Sequence, residues 1–150
     1  MEKHLEVANL YIATLKAMSL VFQHSHWTTK GPPFYGDHLL FERLYNDALK
    51  LLDMAAEKYI GVFGDQSLDY DLQTKLLAGI LSKFSKLEGS PIPMCLAVVK
   101  SFLGLSEQAS KLFEDDSLMT LGLADMLGAI SDKCEEFAYL LQQTQDGKSK

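Results

Sequence analysis

Apolar side chains recur along this chain at intervals of three and four residues, the spacing that lines one face of a helix. Over residues 2–29 one row runs Ala8, Ile12, Leu15, Phe22 and then His26, beside a second row of Val7, Tyr11, Met18 and Val21. A lone bundle needs one apolar face per helix, so the second row predicts that this helix also meets another subunit. The pattern breaks at Gly31-Pro32-Pro33, where proline bars its predecessor from helical geometry. A second helix is predicted from Phe34 to Phe63, with a core row of Phe41, Leu44, Ala48, Leu52, Ala55 and Tyr59. After Gly61, Gly64 and a polar run, a shorter amphipathic piece at 71–84 carries Leu72, Leu76, Ile80 and Phe84. A third long helix opens at Ser90-Pro91, a cap residue followed by proline at the first helical position, with Cys95, Val99, Phe102 and Leu112 inward. The fourth starts near Asp116-Ser117 and keeps the row Leu123, Leu127, Ile130, Cys134, Phe137 and Leu141.

Four long helices with one long connection between the second and third predict an all-α fold. It is a ferritin-like antiparallel four-helix bundle, with a short extra helix in the crossover. The length of 150 residues fits a single domain spanning 1–150, with residues 143–150 as a short, polar, flexible tail. The formal charge of −6 argues against a surface that holds nucleic acid through broad electrostatics and is compatible with attracting cations. Cys95 and Cys134 lack a Cys-x-x-Cys partner and sit among apolar residues, as reduced core thiols do, which points to a cytoplasmic home. The apolar stretch 10–22 carries Lys16 at its middle and no cleavage pattern, so neither a signal peptide nor a membrane span is expected.

The second helix also carries a polar stripe. At about 100° per residue, His38, Glu42, Asp53 and Glu57 fall near 0°, 40°, 60° and 100°, on one face. Asp47 falls near 180°, as an ordinary solvated acid would. Yet Glu42 and Asp53 lie roughly 16 Å apart along the axis, too far to share an ion. An antiparallel second copy, related by a two-fold axis near residues 47 and 48, would lay Asp53 and Glu57 of one chain against His38 and Glu42 of the other. Tyr45 and Leu49 lie between the two polar ends and make this face look like an interface. Buried charges there would require pairing or a metal. His26 lies on the inward row of the first helix, whereas His24, about 200° away, does not. Two imidazoles and three carboxylates suit a first-row divalent metal, Fe(II) foremost, with Mn(II) and Zn(II) as competitors. No Glu-x-x-His pair is present, so a di-iron site inside one bundle is not expected.

His26-Trp27, Gly31, His38, Glu42, Asp53 and Glu57 stand at the spacing of the ferroxidase signature of the Dps miniferritins, and the chain resembles that family over nearly its whole length. The resemblance implies a ferroxidase centre shared at a two-fold interface, with His26, His38 and Glu42 from one subunit and Asp53 and Glu57 from its mate. It further implies a hollow dodecamer that oxidises Fe(II), preferentially with hydrogen peroxide, and stores iron, protecting the cell from oxidative damage. Trp27 would be a candidate for intercepting radicals, alongside an ordinary packing role. Asp37, Glu42 and Lys58 depart from the usual family residues, and Asp37 either adds a charge beside the site or faces water. Iron would enter through acidic three-fold pores, for which Asp125 is the best match. Asp116 and Asp115 are further candidates, or else helix-start acids favoured by the dipole. DNA binding has the thinnest basis, two terminal lysines per chain, Lys148 and Lys150. The rival readings are a non-catalytic Dps-like shell and a nucleoid DNA-binding protein.

Overall fold

The computed structural model describes residues 1–84 and 89–148, as five α-helices and one 3-10 turn. The helices are α1 (Lys3–Thr28), α2 (Phe34–Phe63), α3 (Tyr70–Phe84), α4 (Pro91–Asp115) and α5 (Leu121–Lys148), with the turn Asp65–Ser67 before α3. α1, α2, α4 and α5 form the bundle, and α3 lies in the crossover between α2 and α4. This is the all-helical architecture that the apolar rows predict. Residues 143–148, expected as part of a tail, continue α5. Lys150 lies outside the described residues.

α1 is the hub. It packs on α2, α4 and α3, so Ala8, Ile12, Leu15 and Phe22 of one row and Tyr11, Met18 and Val21 of the other are all buried. The second row therefore needs no other subunit: the crossover and α4 of the same chain cover it. By length and composition this helix could cross a membrane, yet 67% of its most apolar window is buried in the bundle, where those side chains form the core. Elsewhere the register shifts slightly. Leu51 is buried where Leu52 was expected, Leu52 is only half-buried, and Phe113 takes the place expected of Leu112. The α5 row is buried throughout.

The crossover is held by polar atoms more than by apolar ones. Gln73 is the buried residue of α3, while Leu72, Leu76, Ile80 and Phe84 stay half-exposed. Asn9, fully buried on α1, donates to the Ser67 and Leu5 carbonyls and accepts from the Asp69 amide at 2.8 Å and from Gln73 Nε2 at 2.9 Å. Lys16 donates to Gln73 Oε1. Every donor hydrogen of the Asn9 amide is used and its oxygen accepts twice, which offsets the cost of burying it.

The ends of the helices follow local chemistry. Ser90 caps α4, accepting from the Ile92 amide, with Pro91 in the first turn. α4 closes in a Schellman turn. The Leu118 amide donates to the Phe113 carbonyl, the Ser117 amide donates to the Glu114 carbonyl, and Ser117 takes φ 59°. Thr120 then caps α5, its hydroxyl accepting from the Leu123 amide. The last helix thus starts at Leu121 and not near Asp116-Ser117, because the Schellman turn and the Thr120 cap occupy the residues between.

Candidate metal centre

The α1–α2 connection turns the chain back on itself, with Gly31 at φ 94°. Only a residue without Cβ takes that conformation readily. This reversal lays His26, in the last turn of α1, against His38, near the start of α2. The two imidazoles stack with centroids 3.7 Å apart and planes 16° from parallel. His26 Nδ1 lies 2.7 Å from the His38 carbonyl oxygen, and His38 Nδ1 lies 2.7 Å from the His26 carbonyl oxygen. A carbonyl only accepts, so each Nδ1 carries the proton and, in the neutral ring, each Nε2 keeps its lone pair. Backbone bonds of this kind fix the tautomer and orientation that a ligating histidine needs.

The aromatic surroundings extend the pair. Phe34 stacks on His38 at 5.1 Å, and Tyr45 meets the His26 ring edge-on at 5.5 Å. Periodicity alone could not have picked out these two residues, since one opens the helix and the other read as part of an apolar patch.

Glu42, one turn beyond His38 on the same face, is half-exposed. Asp53 and Glu57 are exposed further along α2, lining a shallow groove with Lys50, Met54, Lys58, Gly61 and Val62. Among the described residues, none of these three carboxylates forms an ion pair, and no three metal-competent side chains gather within one chain. One chain therefore presents its expected site residues in two separated places: two imidazoles and, one turn on, Glu42 towards one end of the stripe, and Asp53 with Glu57 towards the other.

Other sequence candidates fall differently. His24 is exposed and lines an apolar groove between α1, α3 and α4, apart from the imidazole pair. Trp27, beside His26 in sequence, is 65% exposed and does not serve as a core packing residue. Asp47 is not the solvated acid expected. Its carboxylate lies 3.6 Å from Lys133 and 3.9 Å from Arg43, and the Glu136 carboxylate contacts both cations, tying α2 to α5. Periodicity had placed Asp47 away from the stripe, but it could not show that α5 brings a lysine to that side. Asp37 is 4% exposed and does not face water. It lies in the first turn of α2, where the helix dipole favours a negative charge.

Asp115 ends α4 and Asp116 is its C-cap, so both stand at the negative pole of a helix and not at the start of one. Asp115 pairs with Lys111 at 2.9 Å. Asp125 is exposed on α5. Lys58 reaches across to the start of α5, where a Cβ on Gly122 would come within 3.3 Å of its Nζ.

Among the described residues, the buried thiols and phenols of the bundle interior are held neutral by burial. Burial pushes the Cys95 and Cys134 thiols up to about 12, and both are unpaired cysteines. Burial likewise raises Tyr11 and Tyr59; Ser106 beside the Tyr11 hydroxyl offsets part of that rise, while the Tyr59 hydroxyl finds no partner among the described residues.

This chain is similar to several known proteins. A DNA protection during starvation protein of Brevibacillus brevis is 28% identical over 140 residues, 89% of each chain. DNA protection during starvation protein 2 of Bacillus anthracis is 32% identical over 60 residues, covering 40% of this chain and 41% of its own. Among solved structures, Dps from Thermosynechococcus elongatus superposes with a TM-score of 0.79 at 20% identity, over 96% of this chain and 90% of that one. A C-terminal deletion mutant of Mycobacterium smegmatis Dps gives 0.65 at 18% identity, over 95% and 98%. No family model matches the chain.

Proposed function

We propose that this chain, which belongs to the Dps family, oxidises Fe(II) at a centre completed by a second copy of itself and stores the product inside a hollow dodecameric shell. The observation that carries this reading is the bonded imidazole pair. His26 and His38 are locked by each other's carbonyls, with both Nε2 atoms left for a metal, at one end of a helical stripe whose remaining carboxylates lie too far away to help. A two-fold axis near residues 47 and 48 brings Asp53 and Glu57 of the mate to His26, His38 and Glu42, making two identical sites per dimer.

The substrate chemistry follows from that donor set. Mixed imidazole and carboxylate ligation suits Fe(II), leaves positions open for an oxidant and becomes more favourable as the charge on iron rises. Two Fe(II) ions each give one electron to one hydrogen peroxide. With two protons the peroxide leaves as two waters, and no hydroxyl radical is released. Removing both reactants protects DNA in a cytoplasmic setting without requiring the chain to bind it. Asp125 and Asp116 are the proposed pore acids, with Asp115 weakened for that role by its Lys111 partner. Trp27, exposed beside His26, remains the proposed radical-intercepting residue.

Mixing His38→Ala chains with Asp53→Ala chains tests the shared centre. Each variant alone damages both sites of its dimer and should oxidise Fe(II) at least about a hundredfold more slowly with peroxide. A mixed dimer regains one intact site, so activity should return in part. No recovery despite proven mixing would overturn the sharing. Absence of saturable Fe(II) binding by the unaltered protein would instead favour a non-catalytic shell, and a salt-sensitive mobility shift of DNA would favour the nucleoid reading.

A further inference from the structure

The rings around the imidazole pair form a continuous column, Phe34 on His38, His38 on His26 and His26 against Tyr45. α2 supplies its first, second and fourth members, and α1 supplies the third. We infer that Phe34 and Tyr45 are positioning residues that clamp the bis-imidazole from its two ends, so that both Nε2 atoms are aimed before any metal arrives. This inference rests on the ferroxidase reading of the same site.

The physical case starts from what the backbone bonds leave undone. A hydrogen bond from Nδ1 to a carbonyl fixes the tautomer, but the ring can still tilt about that bond, and tilting moves Nε2 most because it lies farthest from the pivot. Stacking between His26 and His38 resists tilt on one face of each ring. Phe34 also stacks on His38, at 26° from parallel, and Tyr45 at 66° sets its edge contact against His26. Neither residue belongs to the sealed core. Phe34 is 41% exposed, so its size is not needed to fill the bundle, and Tyr45 is half-buried and packs against the core only from its edge. The Tyr45 contact is made by the ring, so phenylalanine should reproduce it and leucine should not.

The test uses the full chain with Tyr45→Phe, Tyr45→Leu and Phe34→Leu, titrated with Co(II) and followed by its visible absorption. Assembly is checked in parallel by light scattering. Tyr45→Phe should bind as the unaltered protein does. Each leucine variant should bind about two- to tenfold more weakly, the range expected from losing one aromatic contact. With Fe(II) and peroxide, the half-saturating Fe(II) concentration should rise while the saturated rate changes little.

A metal-free crystal structure of Tyr45→Leu supplies a second readout. It should show the His26 ring tilted about its bond to the His38 carbonyl, with Nε2 displaced. If both rings hold their places there, or if both leucine variants bind Co(II) unchanged, the clamp is overturned whatever the protein does with iron. Should the unaltered protein bind no Co(II), the ferroxidase reading fails, while a tilted ring in the metal-free variant would still identify the clamp. If Tyr45→Leu does not assemble, Phe34→Leu decides by the same Co(II) criterion.

Discussion

The bundle core and the outward face of α2 treat their polar groups in opposite ways. In the core, burial keeps Cys95, Cys134, Tyr11 and Tyr59 neutral, and the Tyr59 hydroxyl lacks even a neutral partner among the described residues. On the α2 face, Asp53 and Glu57 are exposed and Glu42 half-exposed, none of them in an ion pair among the described residues, while the imidazoles towards one end of the stripe are oriented by backbone carbonyls. A charged cofactor or substrate placed in the core would meet groups that resist ionisation. On the face it meets carboxylates open to water and imidazoles already aimed. The helix that separates the two regions serves both, packing with Phe41, Leu44, Ala48 and Tyr59 while presenting its stripe outward.

The contrast predicts that stability and metal binding separate under mutation. The largest effect should come from the core. Phe102→Ala should cost about 3–5 kcal/mol in urea denaturation, because a fully buried ring leaves a cavity. Co(II) binding by the protein that remains folded should be unchanged, and a loss of affinity of similar size would mean that core and face are mechanically one.

A smaller effect should appear with pH. The thiols rise from 9.0 to about 12 on folding, so the unfolded chain gives up those protons first. Their stabilising contribution is complete below about pH 8.5 and is lost as pH climbs towards 12. Urea midpoints should fall from pH 9 upwards, and less steeply in the Cys95→Ala, Cys134→Ala double variant, with Tyr11 and Tyr59 adding a later decline in the same direction. The smallest effect should be that of Tyr59→Phe. It removes a buried hydroxyl that has no partner among the described residues and should shift stability by no more than about 0.5 kcal/mol in urea denaturation.

The sequence made these two regions unequally legible. Apolar periodicity located α2 from Phe34 to Phe63 and most core positions, because a row repeated over several turns is hard to misplace, but it passed over Ile92, Leu96, Val98 and Ala109 on α4. Register slipped at Leu51 and Phe113, where neighbouring apolar residues compete for the same space. The start of α5 was misplaced because Asp116-Ser117 looks like a helix start. The Schellman turn that makes it an ending depends on Ser117 adopting a positive φ, which a serine does not announce. At the candidate site, the angular argument placed His38 and Glu42 on one face and brought in His26. Periodicity does not encode ring-to-ring contact, so Phe34 and Tyr45 surfaced only when the α1–α2 turn was seen to fold the imidazoles together. The interhelical partners of Asp47 were hidden for the same reason.

The Asn9 amide has a bearing on how the chain reaches this form. Its bond to the Asp69 amide closes a loop of 60 residues. That closure costs about 3.6 kcal/mol of chain entropy before any constant term. The three bonds it makes to the crossover return about 1 kcal/mol each, so the cluster cannot nucleate the fold. It forms once α1 and α2 have already come together, and it acts then as a latch that sets where the crossover lies. With α3 contributing half-exposed apolar residues and a single buried glutamine, the crossover is the last piece to settle and the first to lift.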